Sequence, residues 1–434
     1  MPGYLHEKNE THSLFSCISW FVKKIMNNHK EQKQTEKKLA PLIFRYSILF
    51  LIIDAVIAIL FIKRKLGFFR AVYFLYTINF VLLPLANICF VFLRLFATKT
   101  VNRVPHALQN VWRLFRIDKR EITVKLVFSL LLLSIFVYAT FIEPNNIQID
   151  KIEIKTGKVS EKITILHISD IQSVSVGKYE QKVFQIIEKL NPDLILHTGD
   201  LMQTNQDTEM KKMAKLFKQL SPKYGIYHSM GDTDSLWPVG DTDSLWPVGD
   251  TDSLRPVGDT DSLRPVGDTD SLRPVGDTGS LGPIKQFCTL SGVRLLIDKN
   301  AAIKGKEVKL NILGLSLYKS RRGSKSFIKN WKNSTRKNEF TIVIGHAPEY
   351  ISGILKLDID LCLAGHTHGG QIRIPFWGPI ITLSRFPKKW SMGYRKINNT
   401  HINVSAGVGT EHAGNLPAIR FNCPPVMTLM TLKP

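Results

Sequence analysis

Cysteine is scarce and unpatterned in this chain. Its 434 residues contain five (Cys17, Cys89, Cys288, Cys362 and Cys423), and no two stand in a C-x-x-C spacing. That spacing excludes a disulfide framework and a zinc knuckle. Cys89 and Cys362 lie in apolar runs, where a thiol behaves as a small hydrophobe. Acidic residues are also few, 36 Asp and Glu against 58 Lys and Arg, for a formal net charge of +22. A basic balance invites nucleic acid or an anionic membrane as partner. No stripe of interleaved aromatic and basic residues is present, however, so a single-stranded nucleic-acid platform is not indicated. The first long apolar run follows about 40 largely polar residues, so it does not read as a cleavable signal peptide.

Much of the positive charge flanks apolar segments. Residues 1–162 hold 24 Lys and Arg against 11 Asp and Glu, a net of +13, which leaves +9 for the other 272 residues. Three stretches are long and apolar enough to cross a bilayer: Leu42 to Ile62, about Ala71 to Phe92, and about Leu126 to Ile142. Each approaches the roughly 20 residues that a hydrocarbon core requires. Asp54 inside the first reads as a helix-packing residue that must be paired or face a polar interior. Six Lys and Arg lie in each of 23–41 and 97–123, against four in each of 63–70 and 143–163. The richer segments belong inside. The sequence therefore predicts a basic cytoplasmic segment (1–41), a multi-pass membrane region (42–142) and a globular domain (150–434) on the outer face of the cell membrane.

Beyond residue 150 the pattern becomes short apolar strands alternating with helices near Tyr179–Leu190 and Thr208–Leu220. Five strand-like runs end on chemistry-bearing residues: Ile163 to Asp170, Leu194 to Asp200, Ile226 to Asp232, Phe340 to His346, and Ile359 to the pair His366 and His368. Any one of these residues could be a cap or a turn. Five in the same structural position converge on one edge of an α/β fold, where such folds place their sites. Carboxylates and imidazoles together are ligands for Mn, Fe or Zn.

The series SDIQ (169–172), TGDLM (198–202), MGDTD (230–234), IGHAPE (344–349) and AGHTHGGQIRIP (364–375) resembles the calcineurin-like metallophosphoesterases, whose series is D-x-H, G-D, G-N-H-[DE], G-H and G-H-x-H. The GHTHGGQ form and the segment from Pro417 to Pro425 resemble a bacterial, often membrane-attached branch. The resemblance implies an α/β sandwich of two β-sheets flanked by helices, here preceded by about three transmembrane helices. It also implies two divalent metal ions. Asp170 and Gln172 would serve the first, with His368; Asp232, His346 and His366 would serve the second; Asp200 would bridge them. Three positions depart from the family pattern. Gln172 and Thr233 stand where the family has His, and Asp232 where it has Asn. Thr cannot do the general-acid work of the catalytic His near neutral pH, a loss on the order of 10²–10⁴ in rate.

A nine-residue unit, GDTDSLWPV or GDTDSLRPV, begins at Gly231, Gly240, Gly249, Gly258 and Gly267, and degrades to GDTGSLGPI at Gly276. It interrupts the domain over 231–284, so six Gly-Asp pairs compete for one ligand position. Gly231 follows a strand directly and is the expected copy. Regular Pro and Gly predict a surface insertion. Calcium-binding β-rolls share the nine-residue period but are richer in Gly and lack the regular Pro.

The function expected from the resemblance is a membrane-anchored, metal-dependent phosphoesterase acting on a phosphoester or pyrophosphate bond of a lipid-linked small molecule. The alternative is a metal-binding pseudo-enzyme serving as a membrane-tethered module, and nucleic acid is not an expected substrate.

Overall fold

The computed structural model describes residues 74–100, 119–204, 206–234, 281–305, 308–382, 384–411 and 418–434. The expected basic segment 1–41, the expected span at 42–62 and residues 235–280 of the repeat lie outside the described residues. The chain divides into two units, Met1–Leu133 and Ser134–Pro434.

Two helical runs are long and apolar enough to cross a membrane, Phe74–Phe92 and Ile122–Asn145. Length and composition support that reading. Both runs expose large apolar side chains such as Phe90, Phe92, Leu130 and Phe141.

In the second unit two six-stranded sheets face each other. The first takes β1 (Gln148–Lys155), β2 (Ile163–Ile168), β3 (Leu194–His197), β4 (Ile226–His228) and β5 (Arg294–Leu295), and it is ordered β1-β14-β2-β3-β4-β5. The second takes β6 (Lys299–Lys304), β7 (Lys309–Gly314), β8 (Phe340–Ile344) and β9 (Leu361–Ala364), and it is ordered β12-β13-β9-β8-β7-β6. A small hairpin, β10 (Arg373–Ile374) with β11 (Gly378–Pro379), stands apart from both. β12 (Gly393–Ile397), β13 (Thr400–Val404) and β14 (Val426–Lys433) complete the set.

Inner strands β2, β3, β4, β8 and β9 are mostly apolar and buried along nearly their whole length because they are covered on both faces. Ile165, Leu194 and Tyr227 of the first sheet pack against Ile312, Ile342 and Leu363 of the second. On its outer face the first sheet carries helices Lys178–Leu190, Asp207–Gln219 and Gly282–Ser291, which bury Val183, Phe217 and Phe287. The second sheet carries Lys325–Ser334 and Glu349–Ile354, burying Ile328 and Tyr350. The result is a four-layer α/β sandwich. Glu180 fixes the start of the first of these helices by accepting the Gly177 amide at 2.8 Å, and Asn191 closes it in the left-handed conformation (φ 43°), as a C-terminal cap does.

The topology carries the functional consequence. β2, β3 and β4 run parallel, as do β7, β8, β9 and β13. Their C-terminal ends therefore come out on common edges, and β2, β3, β4, β8 and β9 each continue into a loop that holds an expected site residue.

Candidate metal centre

Two groups of three ligand-type side chains form at those edges. Asp170, Asp200 and His368 make one; Asp232, His346 and His366 make the other. Within each group the ligand atoms lie within 4.8 Å of one another. Asp200 lies between the two, because its Oδ2 is also 3.4 Å from His346 Nε2. His366 Nδ1 stands 3.3 Å from Asp232 Oδ2, and His368 Nε2 stands 3.5 Å from Asp170 Oδ1.

The backbone is bent to bring these groups together. Asp170, Gln172, Asp200, His366 and His368 all have φ between 43° and 68°. That left-handed conformation is unfavourable for residues with a Cβ and marks sites whose surroundings over-determine them. Two glycines permit the close approach. A Cβ on Gly231 would overlap Asp200, and one on Gly365 would overlap Ser169 and Asp170. In return Asp170 accepts the His366 amide at 3.1 Å, and Asp200 Oδ1 accepts the Thr233 amide at 2.9 Å.

The donor set fits divalent cations. His346 Nδ1 donates to the Thr198 carbonyl at 2.8 Å, which turns Nε2 and its lone pair toward the carboxylates. His346 Nε2, His368 Nδ1 and Gln172 Oε1 are buried without a hydrogen-bond partner. Burial alone would depress His346, but Asp200, then Asp170 and Asp232, push its pKa well above the ordinary value. Burial raises Asp170 to about 6 against the pull of His346. Burial, reinforced by Asp200, raises Glu411 to about 7. Several carboxylates crowded in a dry site call for positive charge, which bound cations supply and protons otherwise replace.

The three departures from the family pattern now have surroundings. Gln172 donates its amide Nε2 to Asp200 Oδ2 at 2.8 Å, so it orients the shared carboxylate. Asp232 belongs to the described copy of the repeat, and Arg321 Nη2 meets its Oδ2 at 2.5 Å. That guanidinium offsets the extra negative charge relative to Asn. The Thr233 hydroxyl is buried and makes no hydrogen bond.

Sequence reading missed several supporting residues. Asp234 is the buried clamp of the turn, accepting the amides of Asp200 (3.0 Å), Leu201 (2.9 Å) and Gly231 (2.8 Å). Its Oδ2 also takes His228 Nε2 at 3.1 Å, and His228 Nδ1 meets His197 Nδ1 at 2.7 Å. The second Asp of each GDTD unit was the available signal. Arg420, fully buried, donates to the carbonyls of Ala406 (2.8 Å), Cys423 (3.0 Å) and Gly409, which fixes the loop after β13. That loop in turn braces the first group: Gly409 donates to the Asp170 carbonyl at 2.7 Å.

Residues 163–370 match the family model described as calcineurin-like phosphoesterase. The chain is similar to an uncharacterized metallophosphoesterase of Bacillus subtilis, YkuE: 40% identity over 94 residues, 22% of this chain and 31% of that one. It is also similar to the phosphodiesterase YaeI of Escherichia coli, with 34% identity over 92 residues, 21% of this chain and 32% of that one. A second B. subtilis protein, the uncharacterized metallophosphoesterase YkoQ, aligns at 20% identity over 311 residues, 68% of this chain and 99% of that one. The matched part thus spans about a third of the first two relatives. The segment from residue 163 to residue 370 is thus similar to the calcineurin-like phosphoesterases.

Proposed function

We propose that this protein is a metal-dependent hydrolase of phosphoester or pyrophosphate bonds, anchored in the cell membrane and acting on a lipid-linked substrate at the outer face. The observation that carries the catalytic part is Asp200, which belongs to one three-residue group and whose Oδ2 stands 3.4 Å from His346 Nε2 of the other. Asp170, Gln172, Asp200 and His368 hold one cation in this reading, and Asp200, Asp232, His346 and His366 hold the other. Mn, Fe or Zn suit such mixed oxygen and nitrogen ligands. Two such cations supply Lewis acidity toward phosphoryl oxygens and lower the pKa of water. The protein's own part is positional. Gln172 and the Thr233 amide fix both oxygens of Asp200, Thr198 fixes the His346 tautomer, and Arg321 offers a partly exposed cation to an incoming phosphate. Membrane attachment rests on the apolar runs 74–92 and 122–145, and it favours a substrate that stays in the bilayer.

A weakened catalyst is the second reading, favoured by one observation: the position of the assisting imidazole holds Thr233, whose hydroxyl makes no hydrogen bond. The experiment is an assay of the purified full chain with Mn²⁺ on soluble phosphomonoester and phosphodiester substrates, alongside His366→Ala. Turnover that His366→Ala abolishes supports the hydrolase. Bound metal with no turnover on either substrate class transfers the case to the second reading.

A further inference from the structure

The β10–β11 hairpin carries its apolar side chains outward. Its tip is Pro375-Phe376-Trp377, closed by the Trp377 amide donating to Ile374 O at 3.1 Å. Phe376 is 105% exposed and Trp377 86%, and Ile374, Ile380 and Ile381 beside them are exposed as well. Burying such side chains is favourable, and no described residue of this unit covers the tip. The turn is also costly to make. Phe376 has φ 69°, a conformation that glycine adopts freely and that strains a residue with a side chain. An aromatic ring held in water on a strained turn needs an occupant outside this unit.

The surroundings say which occupant. From Leu361 to Thr410 the chain has no Asp or Glu and six Lys and Arg (Arg373, Arg385, Lys388, Lys389, Arg395, Lys396). Arg385, Lys388 and Lys389 are exposed, and Lys388 Nζ bonds the Ile380 carbonyl at 3.0 Å at the base of the hairpin. Such cations are attracted to an anionic leaflet. A protein partner normally covers about 800 Å² on each side, which suits a broad face better than a convex tip of three residues. Trp, Phe and Ile over a basic collar suit the boundary between headgroups and acyl chains. The same chain also carries two runs able to cross a bilayer.

We propose that the 373–381 hairpin is an interfacial anchor, inserting Phe376 and Trp377 into an anionic bilayer while Arg385, Lys388 and Lys389 engage lipid phosphates. The anchor bears directly on the metal centre. Gly370, two residues after His368, packs so closely on the hairpin that a Cβ would overlap Pro379. Insertion therefore holds the His366–His368 turn at headgroup level. For the hydrolase reading, on which this last consequence rests, it presents the site to a phosphate carried by a lipid.

The test uses the full chain reconstituted in phosphatidylcholine–phosphatidylglycerol vesicles with brominated acyl chains. Subtracting the emission of Trp377→Phe from that of the wild type isolates Trp377. The proposal predicts that this difference emission is blue-shifted and loses most of its intensity to the bromines. It also predicts that Phe376→Ser or removal of phosphatidylglycerol restores much of that intensity. Quenching by aqueous iodide instead would show a tip in water and overturn the proposal. Insensitivity to both quenchers would show a tip docked on protein, including the N-terminal part of this chain, and overturn it equally. None of these readouts requires turnover, so failure of the hydrolase reading leaves the result standing.

Discussion

Substituting Gly365 by Ala probes the metal centre without replacing any ligand. The Gly365 amide donates to the His346 carbonyl at 2.9 Å, which ties the β8 and β9 loops together. A Cβ there would stand 2.9 Å from Ser169 Cβ and closer still to Ser169 Oγ and Asp170 Oδ2, whereas ordinary contact begins at 3.4 Å. Ser169 and Asp170 are both fully buried, so neither can swing into solvent. The Asp170 carboxylate must move by on the order of an ångström, beyond the roughly 0.5 Å that a working constellation tolerates. Overpacking of this kind costs about 1–3 kcal/mol. For a large folded unit each kcal/mol lowers Tm by roughly 2–4 °C. The group formed by Asp232, His346 and His366 does not include Asp170, so it should keep its cation. The assay is thermal unfolding of the full chain together with its metal content by mass spectrometry. The expected result is a lower Tm and loss of one metal of two. An unchanged Tm with both metals retained would refute the packing argument.

Three further outcomes are expected. Thr233→His should raise turnover on a soluble phosphodiester, up to about the 10²-fold that general acid–base assistance commonly supplies; unchanged kcat under saturating Mn²⁺ would show that the position does not face the reaction. Arg321 and Asp232 are both partly exposed, so their pair is worth at most about 1 kcal/mol. Arg321→Met should therefore strengthen Mn²⁺ binding by no more than about fivefold in calorimetry, by freeing Asp232 from a competing cation. Weaker binding would contradict that competition. His167 is buried between Thr198 and Asn403, and burial pushes its pKa from 6.5 down to about 3. Between those values the unfolded chain binds a proton that the folded chain refuses. Stability therefore falls as pH falls, by about 1.4 kcal/mol per pH unit. Urea unfolding of His167→Gln should show a shallower decline between about pH 6 and about pH 4, and an unchanged slope would count against the assignment.

The strand ends were legible because two local signals coincide there. A fully buried strand is a short apolar run, and the residue that breaks it at a parallel edge is the one free for chemistry. Asp170, Asp200, Asp232, His346, His366 and His368 all follow that rule, and the structure brings these six together in two groups. The expected helices at 179–190 and 208–220 differ from the observed ones by a single residue at their ends. Supporting residues were illegible for the opposite reason. Arg420 serves the Asp170 loop through carbonyls of Ala406 and Gly409, and Asp234 serves amides more than thirty residues earlier in the chain. Such partners are set by tertiary packing, so even the recurrence of Asp234's position in the repeat does not show which amides it serves. The hairpin escaped notice because Ile374, Phe376 and Trp377 look like core in sequence. Only their exposure reveals otherwise.

The central claim is that Asp200 joins two metal sites, and counting metals tests it most directly. Wild-type full chain and Asp200→Ala, each stripped with chelator, reloaded with Mn²⁺ and dialysed, should be compared for metal per chain. The shared carboxylate predicts two ions on the wild type and weakened retention of both on the variant, since Oδ2 lies near His346 of one group while Asp200 completes the other. A wild type that takes up no divalent metal, or an Asp200→Ala variant that keeps one site at full affinity, would contradict it.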